Sequence, residues 1–351
     1  VQPGVTFTLC DCNGSQNRYT HGITHGGNGK GAGVLVGKSA KIGEEATAGK
    51  NDAVFNMYGG AIYNNYPWEA GGENAASASG VLIGGGTFNM YGGKITGNGL
   101  INERSLGGGV FVANQGSFHM SGGEISGNHA TEGGGVFVGG LYGHHDLYAC
   151  SGGTFTMSGG SITGNSGTGG GVYVSNKGTF TVSGNVNITG NKAGDKTSNN
   201  VYLGEYNGQS NTIIVNGTLD STASIGVSVE TANQVVAKDI SEENAERFFR
   251  DNDKYELQYD STSQTLTLVG HDKHPICGDV NCKEHTTISW NPVSDLTKIT
   301  GAGYYYLTQD IEIKNPWSPA NGVTLCLNGH SITLVGYDNS SVIEVSSATF
   351  T

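Results

Sequence analysis

The amino-acid sequence predicts an all-β fold, a right-handed parallel β-helix (a solenoid) with a small α+β cap or linker segment. The chain of 351 residues contains 60 Gly but only 6 Pro. Charged residues make up 14% of it, against about 25% in ordinary domains. β-Branched and aromatic residues recur throughout, and two short phrases repeat along the chain. Such a composition suits many short strands joined by tight turns.

The first repeated phrase combines a Phe-x-Met or Phe-x-Val strand, a Gly-rich turn and an isoleucine strand. Its phenylalanines are 33, 30, 37 and 25 residues apart, at Phe55, Phe88, Phe118, Phe155 and Phe180. The second phrase is a Val-x-Val strand between copies of the first, as in GGGVFVA at 107–113, GGGVFVG at 133–139 and GGGVYVS at 169–175. The shortest spacing fits one coil of three short strands, and the longer spacings indicate expanded turns.

Alternation with a period of two residues assigns the faces of these strands. We expect Phe88, Met90, Ile95, Val110 and Val112 to point inward and Asn89 and Phe111 to point outward. Gly and Asn at the corners are expected to supply the positive φ of the turns. One coil cannot bury its inner face alone, so the coils must stack into a continuous core.

The phrases GGGVFV, GTFTMSGGSITGN and TLCLNGHSIT resemble the pectate-lyase-like right-handed parallel β-helix repeats of large surface proteins from anaerobic gut bacteria. The resemblance covers most of the chain and implies the fold. In the resembling proteins, an aromatic-rich segment like the one that starts at residue 290 opens the β-helix. The scarcity of Lys and the richness in Asn, Thr, Ser and Gly favour an extracellular or cell-surface location.

The domain organisation follows from where the phrases stop. Residues 1–229 are expected to form the β-helix coils, and residues 230–270 a helix-plus-hairpin cap or linker, with Ser241 as the N-cap of a helix SEENAERFF. Residues 271–289 form a Cys/His linker. Residues 290–351 form an opening cap and the first coils of a β-helix, belonging to the next repeat or to a head-to-tail neighbour.

The C-terminal and N-terminal segments, written one after the other, form a continuous β-helix passage. SSVIEVSSATFT at the C-terminus continues as VQPGVTFTLC at the N-terminus, which places Cys326 about one coil from Cys10. This predicts one repeat of a tandem array or a subunit that joins copies of itself head to tail, as open assemblies do. A fragment with arbitrary borders is the alternative, and whether Cys10 and Cys326 are bonded stays open.

A candidate zinc site lies in the linker. His274, Cys277, Cys282 and His285 have the spacing H-x2-C-x4-C-x2-H, and thiolate and imidazole are the ligands that zinc prefers. A closed site of four ligands would be structural. The alternative is a Cys277–Cys282 disulfide with incidental histidines.

Candidate ligand-binding residues lie on the outer face of the Val-x-Val strands and in the loops beside it. The outward residues form a row of Leu35, Leu82, Phe111, Phe137, Tyr173 and Tyr202, and the loops add Trp68, Tyr142 and His144. An exposed aromatic row suits sugar rings or a protein partner. The alternative is that this row is covered and forms a second small core.

Acid–base chemistry is a further option for the loop residues. Glu69, Glu103, Arg104, His129, Glu132, His145, Asp146 and Tyr148 could act on a glycan, but spacing fixes no pair, and a solvated loop edge is the preferred interpretation. The net charge of −12 argues against nucleic acid, and no apolar run reaches the ~20 residues of a membrane span.

The sequence therefore favours a non-catalytic extracellular β-helix module, an adhesin, stalk or filament unit that self-assembles. The alternatives are a carbohydrate-active enzyme with its site in the loops and a carbohydrate-binding module for host or dietary glycans.

Overall fold

The structure, a computed structural model, describes residues 1–11, 22–24, 32–37, 50–66, 79–99, 105–140, 152–175, 177–194, 197–206, 209–252, 254–270, 290–336 and 341–345. These residues fall into two compact units, Val1–Gly270 and His271–Thr351. Nearly all regular structure is β, and the predicted all-β parallel solenoid is confirmed.

Three ladders of parallel strands build the first unit. The phenylalanine sheet contains Thr6–Leu9, Val54–Met57, Thr87–Met90, Ser117–Met120, Ile213–Leu219, Gln234–Lys238 and the first parts of Thr154–Thr163 and Thr179–Thr189. The isoleucine sheet contains Gly22–Ile23, Ala61–Tyr63, Lys94–Thr96, Glu124–Ser126, the later parts of those two long strands, the start of Ser224–Val229, and Phe248–Arg250. The valine sheet contains Val34–Gly37, Val81–Gly84, Val110–Ala113, Val136–Val138, Val172–Val174, Val201–Leu203 and the end of Ser224–Val229.

The pairing register stacks identical side chains and creates one continuous core. Phe55, Phe88, Phe118, Phe155 and Phe180 are all fully buried, and neighbouring ring centroids lie 4.7 to 4.9 Å apart. The inward positions predicted for Phe88, Met90, Ile95, Val110 and Val112 are occupied as expected, since each side chain is buried in this core. The spacing of the rings is the spacing of adjacent strands, about 4.7–4.9 Å.

A fourth, narrow sheet runs along the corner between the isoleucine and valine sheets. It contains His129–Glu132, Ser166–Thr168 and Lys192–Ala193, with Thr197–Ser198 added antiparallel. From the sequence we expected turns at this corner, after each Gly-Asn pair. A two-stranded antiparallel pair, Glu205–Tyr206 with Gln209–Ser210, follows the valine sheet further along the chain.

The far end of the first unit is closed by antiparallel structure. Tyr255–Asp260 and Thr265–Gly270 form a hairpin, and Thr265–Gly270 also pairs antiparallel with Gln234–Lys238. The helix capped by Ser241 spans only Glu242–Ala245 and is shorter than the sequence suggested. Its expected continuation is the strand Phe248–Arg250, because burial of Phe248 against the solenoid core outweighs helix propensity.

The second unit contains two short parallel ladders. Trp290–Val293, Gly303–Leu307 and Val323–Cys326 form one, and Ile311–Ile313 with Ile332–Leu334 form the other. A 3-10 turn at Leu296–Lys298 is capped by Asp295, which accepts a hydrogen bond from the Thr297 N–H. A small core of Val293, Leu296, Ile299, Leu307, Ile311 and Val323 holds these elements together. Within the described residues of both units, no helix is long and apolar enough to cross a membrane.

Candidate functional site

The outer aromatic row consists of Leu35, Leu82, Phe111, Phe137, Tyr173 and Tyr202. Parallel pairing of the valine strands places these residues in register, one per coil. The rings of Phe137, Tyr173 and Tyr202 are stacked, with centroid distances of 5.3 and 5.1 Å, whereas Phe111 meets Phe137 edge-on at 5.1 Å. The row is therefore one continuous set of contacts on the outside of the solenoid core.

Glycine turns bring the narrow sheet close to this row. Gly107, Gly133 and Gly169 have φ values of +60°, +63° and +59°, a region that L side chains rarely adopt. A Cβ at these positions would lie 2.8 Å from the Cβ of Phe111, Phe137 and Tyr173 respectively. Only glycine lets the chain turn from the narrow sheet into the valine strand directly above an aromatic residue.

Burial divides the outer aromatic row into two parts. Phe111 is 1% exposed and Phe137 is 2% exposed, and with Ala113 they form a separate cluster against which Leu82, Leu106 and Tyr173 pack. The sequence left two possibilities for this row, an exposed surface and a second small core. Phe111 and Phe137 form the second small core. Leu35 and Leu82 at one end and Tyr173 and Tyr202 at the other are only partly buried, so the accessible aromatic rings of the row lie at its tyrosine end.

Carboxylates surround the tyrosine end. Glu132 ends a strand of the narrow sheet, opposite Thr168, and burial raises its pKa above the ordinary value. Sequence reasoning placed Glu132 in a loop. Burial, the charge of Glu230 and a hydrogen bond to Glu230 raise the pKa of Tyr202 to about 12. Burial, followed by the charge of Glu132, raises the pKa of Tyr173 well above its ordinary value.

Several predicted site residues lie outside the described residues. These are the loop residues Trp68, Tyr142 and His144 and the four zinc-ligand candidates His274, Cys277, Cys282 and His285. Within the part of the chain that the structure describes, no group of three or more His, Cys, Asp or Glu side chains could hold a metal ion. The zinc site and the Cys277–Cys282 disulfide therefore both stay predictions.

Sequence reasoning missed a buried asparagine ladder beside the core. Each Nδ2 donates to the next Oδ1 at 2.9 or 3.0 Å along a ladder of six residues: Asn65, Asn98, Asn128, Asn165 and Asn191, one per coil, and then Asn200, in the same coil as Asn191. The backbone N–H of each also donates to the next Oδ1, for example from Asn98 to Asn128 at 3.0 Å. These asparagines were read as turn residues, but the positive φ belongs to the residue before them, as at Gly97 and Asn64.

An exposed tyrosine pair was also missed. Tyr58 and Tyr91 lie in register after the phenylalanine strands, and their rings stack at 4.5 Å. Both side chains are exposed, and Asn89 Nδ2 donates to Asn56 Oδ1 at 2.9 Å on the same sheet. The repeated phrase FNMYGG was the signal that could have revealed the pair.

The first coil presents an open edge. In the described residues, Thr6–Leu9 pairs only with Val54–Met57, and three of its four side chains are exposed. Phe7 continues the buried phenylalanine ladder by stacking on Phe55 at 5.7 Å, yet it is 44% exposed. This end therefore differs from the end closed by the hairpin.

Comparison of the chain with protein-family models, with curated proteins and with solved structures gave no match.

Proposed function

We propose that this chain is a non-catalytic structural module of the cell surface, whose copies join end to end into an extended β-helix. The copies are separate chains or tandem repeats, as the resemblance to pectate-lyase-like repeat regions of surface proteins suggests. The single observation that carries the proposal is the open edge of the first coil, where a half-exposed Phe7 extends a fully buried ladder.

An open edge of this kind favours addition of another coil. Unpaired N–H and C=O groups of an edge strand are a template for a further strand, and natural proteins usually protect them. Thr6–Leu9 carries no charged side chain that would oppose pairing. A coil added there would bury Phe7 and Val5, which are both apolar and exposed.

The second unit offers a complementary edge. Among the described residues, Val323–Cys326 pairs only with Gly303–Leu307, and Ile332–Leu334 pairs only with Ile311–Ile313. Both strands are parallel to earlier strands, so their remaining edges point toward later coils, which is the polarity that an incoming Thr6–Leu9 strand requires. Exposed apolar residues lie nearby: Leu327, Val335, Val342 and Val345.

Sedimentation velocity of the full chain at increasing concentration tests the proposal. We expect concentration-dependent association of the wild type, and we expect Phe7→Lys to abolish it because a charge would be buried at the joint. Tyr91→Lys is the matched control, since Tyr91 is 47% exposed but lies on the side of the solenoid. Circular dichroism establishes that both variants are folded.

Two outcomes would overturn end-to-end joining of separate chains. One is a wild-type chain that stays monomeric at every concentration. The other is equal weakening by Phe7→Lys and Tyr91→Lys, which would move the contact to the side of the solenoid.

A further inference from the structure

Tyr202 is the last ring of the outer aromatic row. One face of its ring stacks on Tyr173. The residue in register with Tyr202 on the following strand is Ser228, which carries no ring. The second face of Tyr202 is therefore not covered by another described aromatic ring, whereas the face of Phe137 toward Tyr173 and that of Tyr173 toward Tyr202 are used in stacking.

The surroundings of this face are acidic. Glu230 follows Val229, which pairs with Leu203 beside Tyr202, and its carboxylate is hydrogen-bonded to the Tyr202 phenol. Glu132 lies on the narrow sheet, opposite Thr168, and its charge acts on both phenols. Among the described residues, the ionisable neighbours that act on the two phenols are all acids: Glu132, Glu230 and Tyr255, besides the tyrosines themselves.

Of the two carboxylates, Glu132 is the less solvated, because Glu230 is exposed and Glu132 is partly buried. Partly buried carboxylates are normally compensated by a cation or by hydrogen-bond donors. Glu132 has no ion pair among the described residues, and burial alone raises its pKa. An aromatic face flanked by carboxylates is the arrangement that attracts an ammonium or guanidinium group, because the ring face and the carboxylates are both negative.

We infer that the tyrosine end of the outer aromatic row, formed by Tyr173, Tyr202, Glu132 and Glu230, binds a positively charged ammonium or guanidinium group. The site does not depend on end-to-end joining, because it lies on the outer face of the valine sheet. The shared chemistry has two sources, a lysine or arginine side chain of a protein and the amino group of a deacetylated amino sugar.

A neutral sugar fits this site less well. A neutral ligand would leave the partly buried Glu132 carboxylate without a counter-charge. The two ligand classes can be separated with a pair of sugars that differ only in charge.

Isothermal titration of the full chain at neutral pH compares four probes. Glucosamine, Nα-acetyl-lysine amide and Nα-acetyl-arginine amide carry the cation, and N-acetylglucosamine is the neutral counterpart of the first. We expect at least one cationic probe to bind and N-acetylglucosamine not to bind. Whichever binds with the higher affinity, the amino sugar or an amino-acid amide, identifies the source of the cation.

Variants tie the binding to the proposed residues. We expect Glu230→Gln and Glu132→Gln each to weaken the cationic probe by about tenfold or more, as loss of a hydrogen bond to a charged group does. Glu312→Gln, in the second unit, makes the same change of charge and should leave the affinity unchanged. Thermal melting of each variant establishes that the fold is intact.

Three results would overturn the inference. The first is that no cationic probe binds to the wild type. The second is that N-acetylglucosamine binds as tightly as glucosamine, which would make this a neutral glycan site. The third is that Glu132→Gln and Glu230→Gln bind the cationic probe as tightly as Glu312→Gln.

Discussion

Replacing Asn128 with alanine should destabilise the solenoid far more than the same replacement at Asn89. Asn128 is fully buried, and its Nδ2 donates to Asn165 Oδ1 and to the Ile95 carbonyl, both at 2.9 Å. Its Oδ1 accepts from the N–H and from Nδ2 of Asn98, at 3.0 and 2.9 Å. The Asn89 side chain, which is only partly buried, makes one hydrogen bond to a described residue, Asn56.

The size of the loss in stability can be estimated from the polar groups that lose their hydrogen-bond partner. Alanine at 128 removes the acceptor of the buried Asn98 N–H and one of the acceptors of Asn98 Nδ2. Each buried polar group left without a partner costs about 1–3 kcal/mol, so we expect a loss of about 3–5 kcal/mol in the free energy of unfolding. At Asn89, water replaces the lost partner, and the expected loss is about 0.5–1 kcal/mol.

Urea denaturation of the full chain, followed by circular dichroism, measures both losses. Stacked coils can unfold in parts, so hydrogen exchange of the amides of Asn98 and Asn128 provides a local measurement. We expect Asn128→Ala to accelerate exchange in its own coil and in the neighbouring coils. A difference below about 1 kcal/mol between the two variants would refute the claim that the buried ladder stabilises this fold.

Further predictions concern the core, the turns and pH. Phe118→Ala removes a ring stacked on both sides and should cost about 3–5 kcal/mol in urea denaturation. Gly123→Ala should cost more than about 2 kcal/mol, because its φ is +89° and a Cβ would lie 2.8 Å from a backbone oxygen, whereas Gly190→Ala, with φ +67° and open space around it, should cost about 1 kcal/mol. Burial raises the pKa of Glu132 above its ordinary 4.5, so the folded state binds its proton more tightly and stability falls as pH rises from 4.5 through the raised pKa. Glu132→Gln should remove that fall in a series of melts from pH 4 to pH 8, and an identical pH profile in the variant would contradict the assignment.

The coils could be predicted because their strands repeat. Apolar residues recur at the positions of Phe88, Met90 and Ile95 from coil to coil, and an alternation with a period of two residues assigns each of them to the inner face. The narrow sheet could not be predicted, because HATE at 129–132 and SGT at 166–168 share neither composition nor alternation. These segments are aligned by backbone hydrogen bonds, which produce no recognisable pattern of side chains in the sequence.

For the candidate site, the sequence predicted which residues point outward but not which of them are accessible. Alternation identified Phe111 and Tyr202 as outward residues of equivalent strands. It could not tell that Phe111 is covered and that Tyr202 is accessible, because the cover includes residues outside the repeated phrase, such as Leu106. The acidic partner Glu230 comes from a strand whose phrase no longer matches the repeat.

The end of the asparagine ladder shows how physical chemistry can find what a pattern cannot. Every amide of the ladder donates to the next member, so the last one, Asn200, needs an acceptor from outside the ladder. Asp251 fills this role, since its carboxylate accepts from the Asn200 N–H at 2.6 Å, from Asn200 Nδ2 and from the Ser228 hydroxyl at 2.8 Å. Burial raises the pKa of Asp251, and these three donors oppose that effect. The two residues lie 51 positions apart, outside any repeated phrase, yet the direction of the ladder requires an acceptor at its end.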